Sequence, residues 1–275
     1  MEKLTVLGTG NAMALRCYNT CFALHEGQQA ILVDAGGGNG ILKQLQQAQI
    51  SYNAIRHLIV THAHTDHLLG VVWVVRKIGT LALEGSYEGV FHIWCHDELA
   101  QAIATLVQLT LTPKLQKLMG TVIVLHPVAD GQQEQLLGHT VTFFDIHSTK
   151  AKQFGFSVCK EGQVITCLGD EPYNPLCRRY VEGSQWLLCE AFCLYEHRDR
   201  FKPYEKNHST VKDACQLAQE LQIPHLVLWH TEDKTYDQRQ ELYTAEGHQY
   251  YTGDLHVPYD LDVIDLQPQG KEQQQ

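Results

Sequence analysis

Short apolar, β-branched runs recur along this chain, separated by turn residues and by stretches with helical spacing. Leu4–Leu7, Cys21–Leu24 and Ile31–Val33 read as strands. The segment Asp34-Ala35-Gly36-Gly37-Gly38-Asn39-Gly40 then breaks the chain sharply. Beyond it, Ile41, Leu42, Leu45 and Ala48 fall on one helical face. Leu58–Thr61 predicts the next strand. Leu68–Ile78 sends mixed signals. Val71, Val72, Val74 and Val75 favour a strand by propensity. Its length, and Asp66 as a cap, favour a helix buried against a sheet, and a helix is assigned. Phe91–Cys95 reads as a strand and Asp97–Leu109 as a helix.

The second half repeats the style. Strands are predicted at Val122–Leu125, Val141–Asp145, Phe154–Cys159, Val164–Leu168, Trp186–Cys189 and His225–Trp229. Helices are predicted at Thr210–Leu221, with Ser209 or Thr210 as cap, and at Asp237–Gly247. Two β-rich halves flanked by helices imply an α/β fold, a four-layer αββα sandwich. No linker interrupts it, so residues 1–266 are expected to form one domain. Residues 267–275, Gln-Pro-Gln-Gly-Lys-Glu-Gln-Gln-Gln, lack apolar side chains and read as a disordered tail.

The pattern changes character after Leu58-Ile59-Val60. There the chain reads Thr61-His62-Ala63-His64-Thr65-Asp66-His67, placing three histidines and an aspartate within six residues. Imidazole and carboxylate are good zinc ligands. Alternate residues of an extended stretch share a face, so His62 and His64 can converge on one ion. Asp66 and His67 are adjacent and cannot both follow that alternation; they turn toward a second ion. The segment therefore proposes a dinuclear metal site and hydrolytic chemistry. With 16 histidines in the chain, some clustering arises by chance. Four ligands at this spacing, after a strand-like run and before a helix-like one, are far less easily accidental.

Composition narrows the partners. The 275 residues carry a net charge of −10, with a pI near 5.8. That argues against a broad basic face for nucleic acid, and DNA is not expected as a partner. Nine cysteines show no Cys-x-x-Cys spacing and mostly lie in apolar runs, as buried reduced thiols would. The N-terminus enters a strand at once and does not read as a signal peptide, and no uncharged apolar stretch reaches membrane-spanning length. A soluble, cytoplasmic protein without membrane partners is expected.

Further ligand candidates each follow a predicted strand: His147, Asp170 and His230. The order His62, His64, Asp66, His67, His147, Asp170, His230 resembles the ligand series of the metallo-β-lactamase superfamily, whose hallmark is His-x-His-x-Asp-His. The resemblance implies the αββα fold and two zinc ions. By it, His62, His64 and His147 would hold one ion, and Asp66, His67 and His230 the other, with Asp170 between them. Manganese or iron also suits such ligands. Leu7-Gly8-Thr9-Gly10-Asn11-Ala12, Arg16 with Asn19, Cys189-Glu190-Ala191-Phe192 and Asn207-His208-Ser209-Thr210 are similar to segments of the ribonuclease Z (ElaC) branch. The matches run from about residue 4 to 232. This resemblance implies a homodimer and a phosphodiesterase acting on RNA or a small molecule.

The chemistry has its own logic. Water between two zinc ions has a lowered pKa and becomes a nucleophile toward phosphorus near neutral pH. Asp66 could both ligate and orient or deprotonate that water. The leaving oxygen needs a proton, which a histidine steadied by a carboxylate can supply; His208 and Glu190 are the candidates. The glycine-rich run after Asp34 lacks a phosphate-loop pattern and reads as backbone geometry, with Asp34 supporting a ligand histidine. Ribonuclease Z of the tRNA-processing kind carries a long Gly/Pro-rich arm between the third ligand histidine and the bridging aspartate. Here His147 and Asp170 are only 23 positions apart, and the stretch between them reads as a plain hairpin. Three readings therefore stand: a phosphodiesterase of open substrate, a hydrolase of a thioester or lactone, and a metal-binding relative without turnover.

Overall fold

The structure, a computed structural model, describes residues 1–267. All but the first residue of the tail expected to be disordered lies outside the described residues. The first half contains β1 (Lys3–Gly8), β2 (Cys21–Glu26), β3 (Gln29–Val33), α1 (Gly40–Gln47), β4 (Ile55–Ile59) and α2 (Thr65–Leu83). It continues with β5 (Phe91–His96), α3 (Asp97–Thr110), α4 (Pro113–Gln116) and β6 (Ile123–Val128). Next come β7 (Gln133–Leu136), β8 (His139–Asp145), β9 (Phe154–Lys160), β10 (Gln163–Cys167), α5 (Arg178–Val181) and β11 (Trp186–Glu190). The last elements are α6 (Arg198–Phe201), α7 (Val211–Glu220), β12 (His225–Trp229), α8 (Arg239–Gly247), β13 (Asp254–His256) and β14 (Val263–Asp265).

Two seven-stranded sheets result, in the orders β14-β1-β2-β3-β4-β5-β6 and β13-β12-β11-β10-β9-β8-β7. In each, antiparallel pairing gives way to parallel pairing, from β3 to β6 in the first and from β10 to β13 in the second. Parallel strands covered on both faces read as continuous apolar runs, which is why these strands were legible. Alternation sorts their side chains. Ile31, Val33, Ile59 and Trp94 point into the space between the sheets, where they meet Phe143, Phe156, Leu188, Val227 and Trp229. Leu32, Leu58 and Ile93 face outward onto α1, α2 and α3. Leu187, Cys189, Leu226 and Leu228 face outward onto α7 and α8. The layers are thus helix, sheet, sheet, helix, as the pattern predicts.

The ambiguous valine-rich stretch is helical. α2 buries Val71, Val74, Val75 and Ile78 against the first sheet, each worth about 1.5–3 kcal/mol relative to exposure. Packing against that sheet overrides β-propensity. The helix is capped at His64, so Asp66 lies in its first turn and is not the cap. All nine cysteines are free, and seven of them are buried. Among the described residues no helix is long and apolar enough to cross a membrane.

Candidate active site

Every candidate residue except His208, which lies between α6 and α7, follows the C-terminal end of a strand or opens the helix after it. Asp34 follows β3, His62 and His64 lie between β4 and α2, and Asp66 and His67 occupy the first turn of α2. Asp170 follows β10, Glu190 ends β11, and His230 follows β12. Both sheets therefore supply the site, and rigid strands hold its parts.

Asp34 organises the first sheet's share. Its backbone is left-handed (φ 53°) and its side chain is buried. The carboxylate accepts from the Thr61 amide at 2.8 Å, the Thr61 hydroxyl at 2.8 Å and His67 Nδ1 at 2.7 Å. The hydroxyl's one proton is thereby committed, so His62 Nδ1, 2.9 Å away, must donate to Thr61 Oγ1. Both imidazoles then carry their proton on Nδ1 and turn Nε2 inward. His67 Nε2 has no hydrogen-bond partner. Burial would lower the His67 pKa, but Asp34, Asp170 and Asp66 outweigh it and raise it to about 9. His62 is lowered, chiefly by burial.

Asp170 stands at the centre. Its Oδ1 lies 3.5 Å from His62 Nε2, and its Oδ2 lies 3.6 Å from His67 Nε2 and 3.5 Å from His230 Nε2. Asp66 Oδ2 lies 3.3 Å from His230 Nε2 and 3.5 Å from His67 Nε2. Burial would raise both carboxyls, but the surrounding imidazoles hold them well below the usual range. His64 is half-buried, with Nδ1 2.9 Å from His62 Nε2 and 3.9 Å from Asp170 Oδ2. Converging donor groups therefore form at His62, His67 and Asp170, and at Asp66, His67 and His230.

This arrangement fits metal ions. Donors about 2.0–2.2 Å from a tetrahedral zinc lie roughly 3.3–3.6 Å apart. The carboxylates of Asp66 and Asp170 stand at that separation from His62, His67 and His230, which is long for good hydrogen bonds, whereas His64 Nδ1 is 2.9 Å from His62 Nε2 and 3.9 Å from Asp170. Asp170 Oδ1 and His67 Nε2 are buried without hydrogen-bond partners, a cost that coordination would remove.

His147 is placed differently. It is exposed, with a left-handed backbone (φ 59°), and lies outside the converging groups. Its neighbour Ser148 donates to Glu171 at 2.8 Å, so the loop is tied to the residue after Asp170.

His208 and Glu190 do meet, but not as the simple pair expected. His208 Nδ1 lies 2.9 Å from the Asp170 carbonyl oxygen and 3.7 Å from Glu190 Oε2. The main-chain carbonyl is therefore the closer partner. Glu190 is fully buried and accepts from the Ser209 hydroxyl at 2.7 Å and from the Ser209 amide. Burial pushes its carboxyl well above the usual range. His208 is lowered to about 3, by burial first and then by His230. Phe192 stacks on the His208 ring at 5.0 Å. Sequence reasoning missed Thr61, Ser209 and the Asp170 carbonyl. Thr61 and Ser209 each adjoin a quoted histidine, but neither spacing nor residue type marks them out.

His64, Asp66, Asp170, His208 and His230 all face one cavity of about 510 Å³. Met13, Leu15, Phe192 and Phe201 give it apolar walls, and Lys206 and Lys234 bring cations to it.

Fold and site together define a ribonuclease Z-like, metal-dependent hydrolase of the metallo-β-lactamase fold. The chain belongs to the family described as anti-Pycsar protein Apyc1, whose model matches residues 2–251. Ribonuclease Z of Thermobifida fusca (strain YX) is 22% identical, covering 94% of this chain and 93% of its own. The metallo-β-lactamase fold protein YhfI from Bacillus subtilis superposes with a TM-score of 0.77 at 18% identity, covering 96% of this chain and 98% of its own. Human tRNase Z, short form, gives a TM-score of 0.74 at 22% identity, covering 97% of this chain and all of its own.

Proposed function

We propose that the protein is a dinuclear zinc phosphodiesterase whose substrate is a small phosphodiester, a cyclic nucleotide among them. His62, His64 and Asp170 would hold one ion, joined by His147 from its tethered loop. Asp66, His67 and His230 would hold the other, with Asp170 between the two. When bound, two divalent ions supply a water of lowered pKa and offset the charge of the phosphate.

The observation that carries the reaction class is His208. Its ring centroid lies 5.1 Å from that of His230, on the wall of the ligand cavity, and its Nδ1 is fixed by the Asp170 carbonyl. Nε2 is then the atom left to serve a leaving oxygen. His208 is neutral in its own surroundings, so the anionic substrate must provide the charge that favours its proton. Glu190 and Ser209 hold the segment in place. Hydrolysis of a thioester or lactone would not require this histidine.

β9 and β10 support a small substrate. They pair from Gln163↔Lys160 to Cys167↔Phe156, leaving Glu161 and Gly162 as the whole turn. No arm extends there to grip a tRNA.

Purified, zinc-loaded protein is expected to hydrolyse bis(p-nitrophenyl) phosphate and a 3′,5′-cyclic nucleotide. His208→Ala should lower kcat by about 10²–10⁴-fold with metal content unchanged. Equal turnover in the variant would refute the acid role. Processing of a tRNA precursor in preference to small diesters would refute the substrate class, and faster turnover of lactones or thioesters would refute the reaction class.

A further inference from the structure

A second set of ligand-type side chains lies at the far end of β12. His225 opens that strand and His230 follows it, so the two are roughly 16 Å apart at strand rise. β13 is the edge strand beside it, and His225 pairs with Asp254 across the ladder. His256 is two residues beyond Asp254 and shares its face. The three side chains therefore meet. Asp254 Oδ2 is 3.0 Å from His225 Nδ1 and 2.8 Å from His256 Nε2, and one ligand atom from each residue lies within 4.8 Å of the others.

We propose that His225, Asp254 and His256 form a separate binding site for a divalent ion of the zinc, nickel or copper type. Two imidazoles and one carboxylate match the preference of these ions. The register of two adjacent strands sets the ligands, so no loop must move to assemble them. Trp186 forms a wall behind the site, stacking on His225 at 4.2 Å and lying 5.2 Å from His256. The side chains remain 28–52% exposed, which leaves room for water as the remaining ligands. None of the three residues takes part in the hydrolytic site. An ion here would add to the three ladder pairs that join this three-residue edge strand to β12.

The test is metal stoichiometry at buffered free zinc, with amide exchange measured in parallel. The unaltered chain is expected to bind one ion more than either His256→Gln or Asp254→Asn. Zinc should slow exchange at residues 254–256 in the unaltered chain and not in the variants. Equal stoichiometry in all three chains, or exchange at 254–256 indifferent to zinc, overturns the assignment. The readouts do not depend on turnover, so this site stands or falls apart from the proposed phosphodiesterase.

Discussion

Asp34 occupies a backbone region that costs a non-glycine residue roughly 1–2 kcal/mol. In return, one carboxylate sets the proton positions of His62 and His67, directly for one and through Thr61 for the other. Asp34→Ala should therefore weaken metal binding by about 10–100-fold with the fold retained, as read by chelator competition. Unchanged affinity would mean that the two imidazoles orient themselves. His147 supplies a second test at this scale. As a proposed ligand on a tethered loop, His147 predicts that His147→Ala binds about one ion fewer than the unaltered chain. Unchanged ion content would remove it from the set. The His62–His67 cluster stood out in the sequence because four ligand-type side chains crowd into six residues. Thr61 was not legible, because its role rests on the single proton of a hydroxyl placed between two groups by the turn after β4.

At the scale of elements, α2 sets the site by how closely it approaches the loop after β3. The Gly70 amide donates to the Gly36 carbonyl at 2.8 Å, and a Cβ at Gly70 would lie 1.8 Å from the Ala35 carbonyl oxygen. Gly70→Ala must push the helix from the Asp34 loop. It should cost about 1–3 kcal/mol in urea unfolding and lower metal occupancy together. Unchanged stability would show that the contact is easily relaxed. Most strands were readable as apolar runs. β7 (Gln133-Glu134-Gln135-Leu136) and β13 (Asp254-Leu255-His256) were not, because short polar segments become strands only through the neighbour they pair with. β14 is similar, with three residues on the edge beside β1. The same limit applies to the His208 segment. Its histidine was visible, but the carbonyl that fixes it belongs to the end of a different strand.

At the scale of the molecule, the sheets are tied outside their apolar interface as well. Glu26, ending β2, accepts from Lys160 of β9 at 2.6 Å and lies 2.9 Å from His139 of β8. Partial burial would raise the Glu26 pKa, but these partners bring it to about 2. A carboxyl held low in the folded state adds stability that is complete above its unfolded pKa, near 4.5. That stability drains away as pH falls from there toward 2. Glu26→Gln should flatten the melting-temperature profile over this interval and lower it above pH 5. An unaltered slope would show that the contact contributes nothing to the acid response. The proposed metal ligands have a comparable geography, with His62 and His67 carried by the first sheet and Asp170 and His230 by the second. Ion capture at the proposed site would therefore act as proofreading of the docked halves. A chain whose two sheets met out of register would present half a ligand set to the solution, and its failure would be silence, not stray hydrolysis.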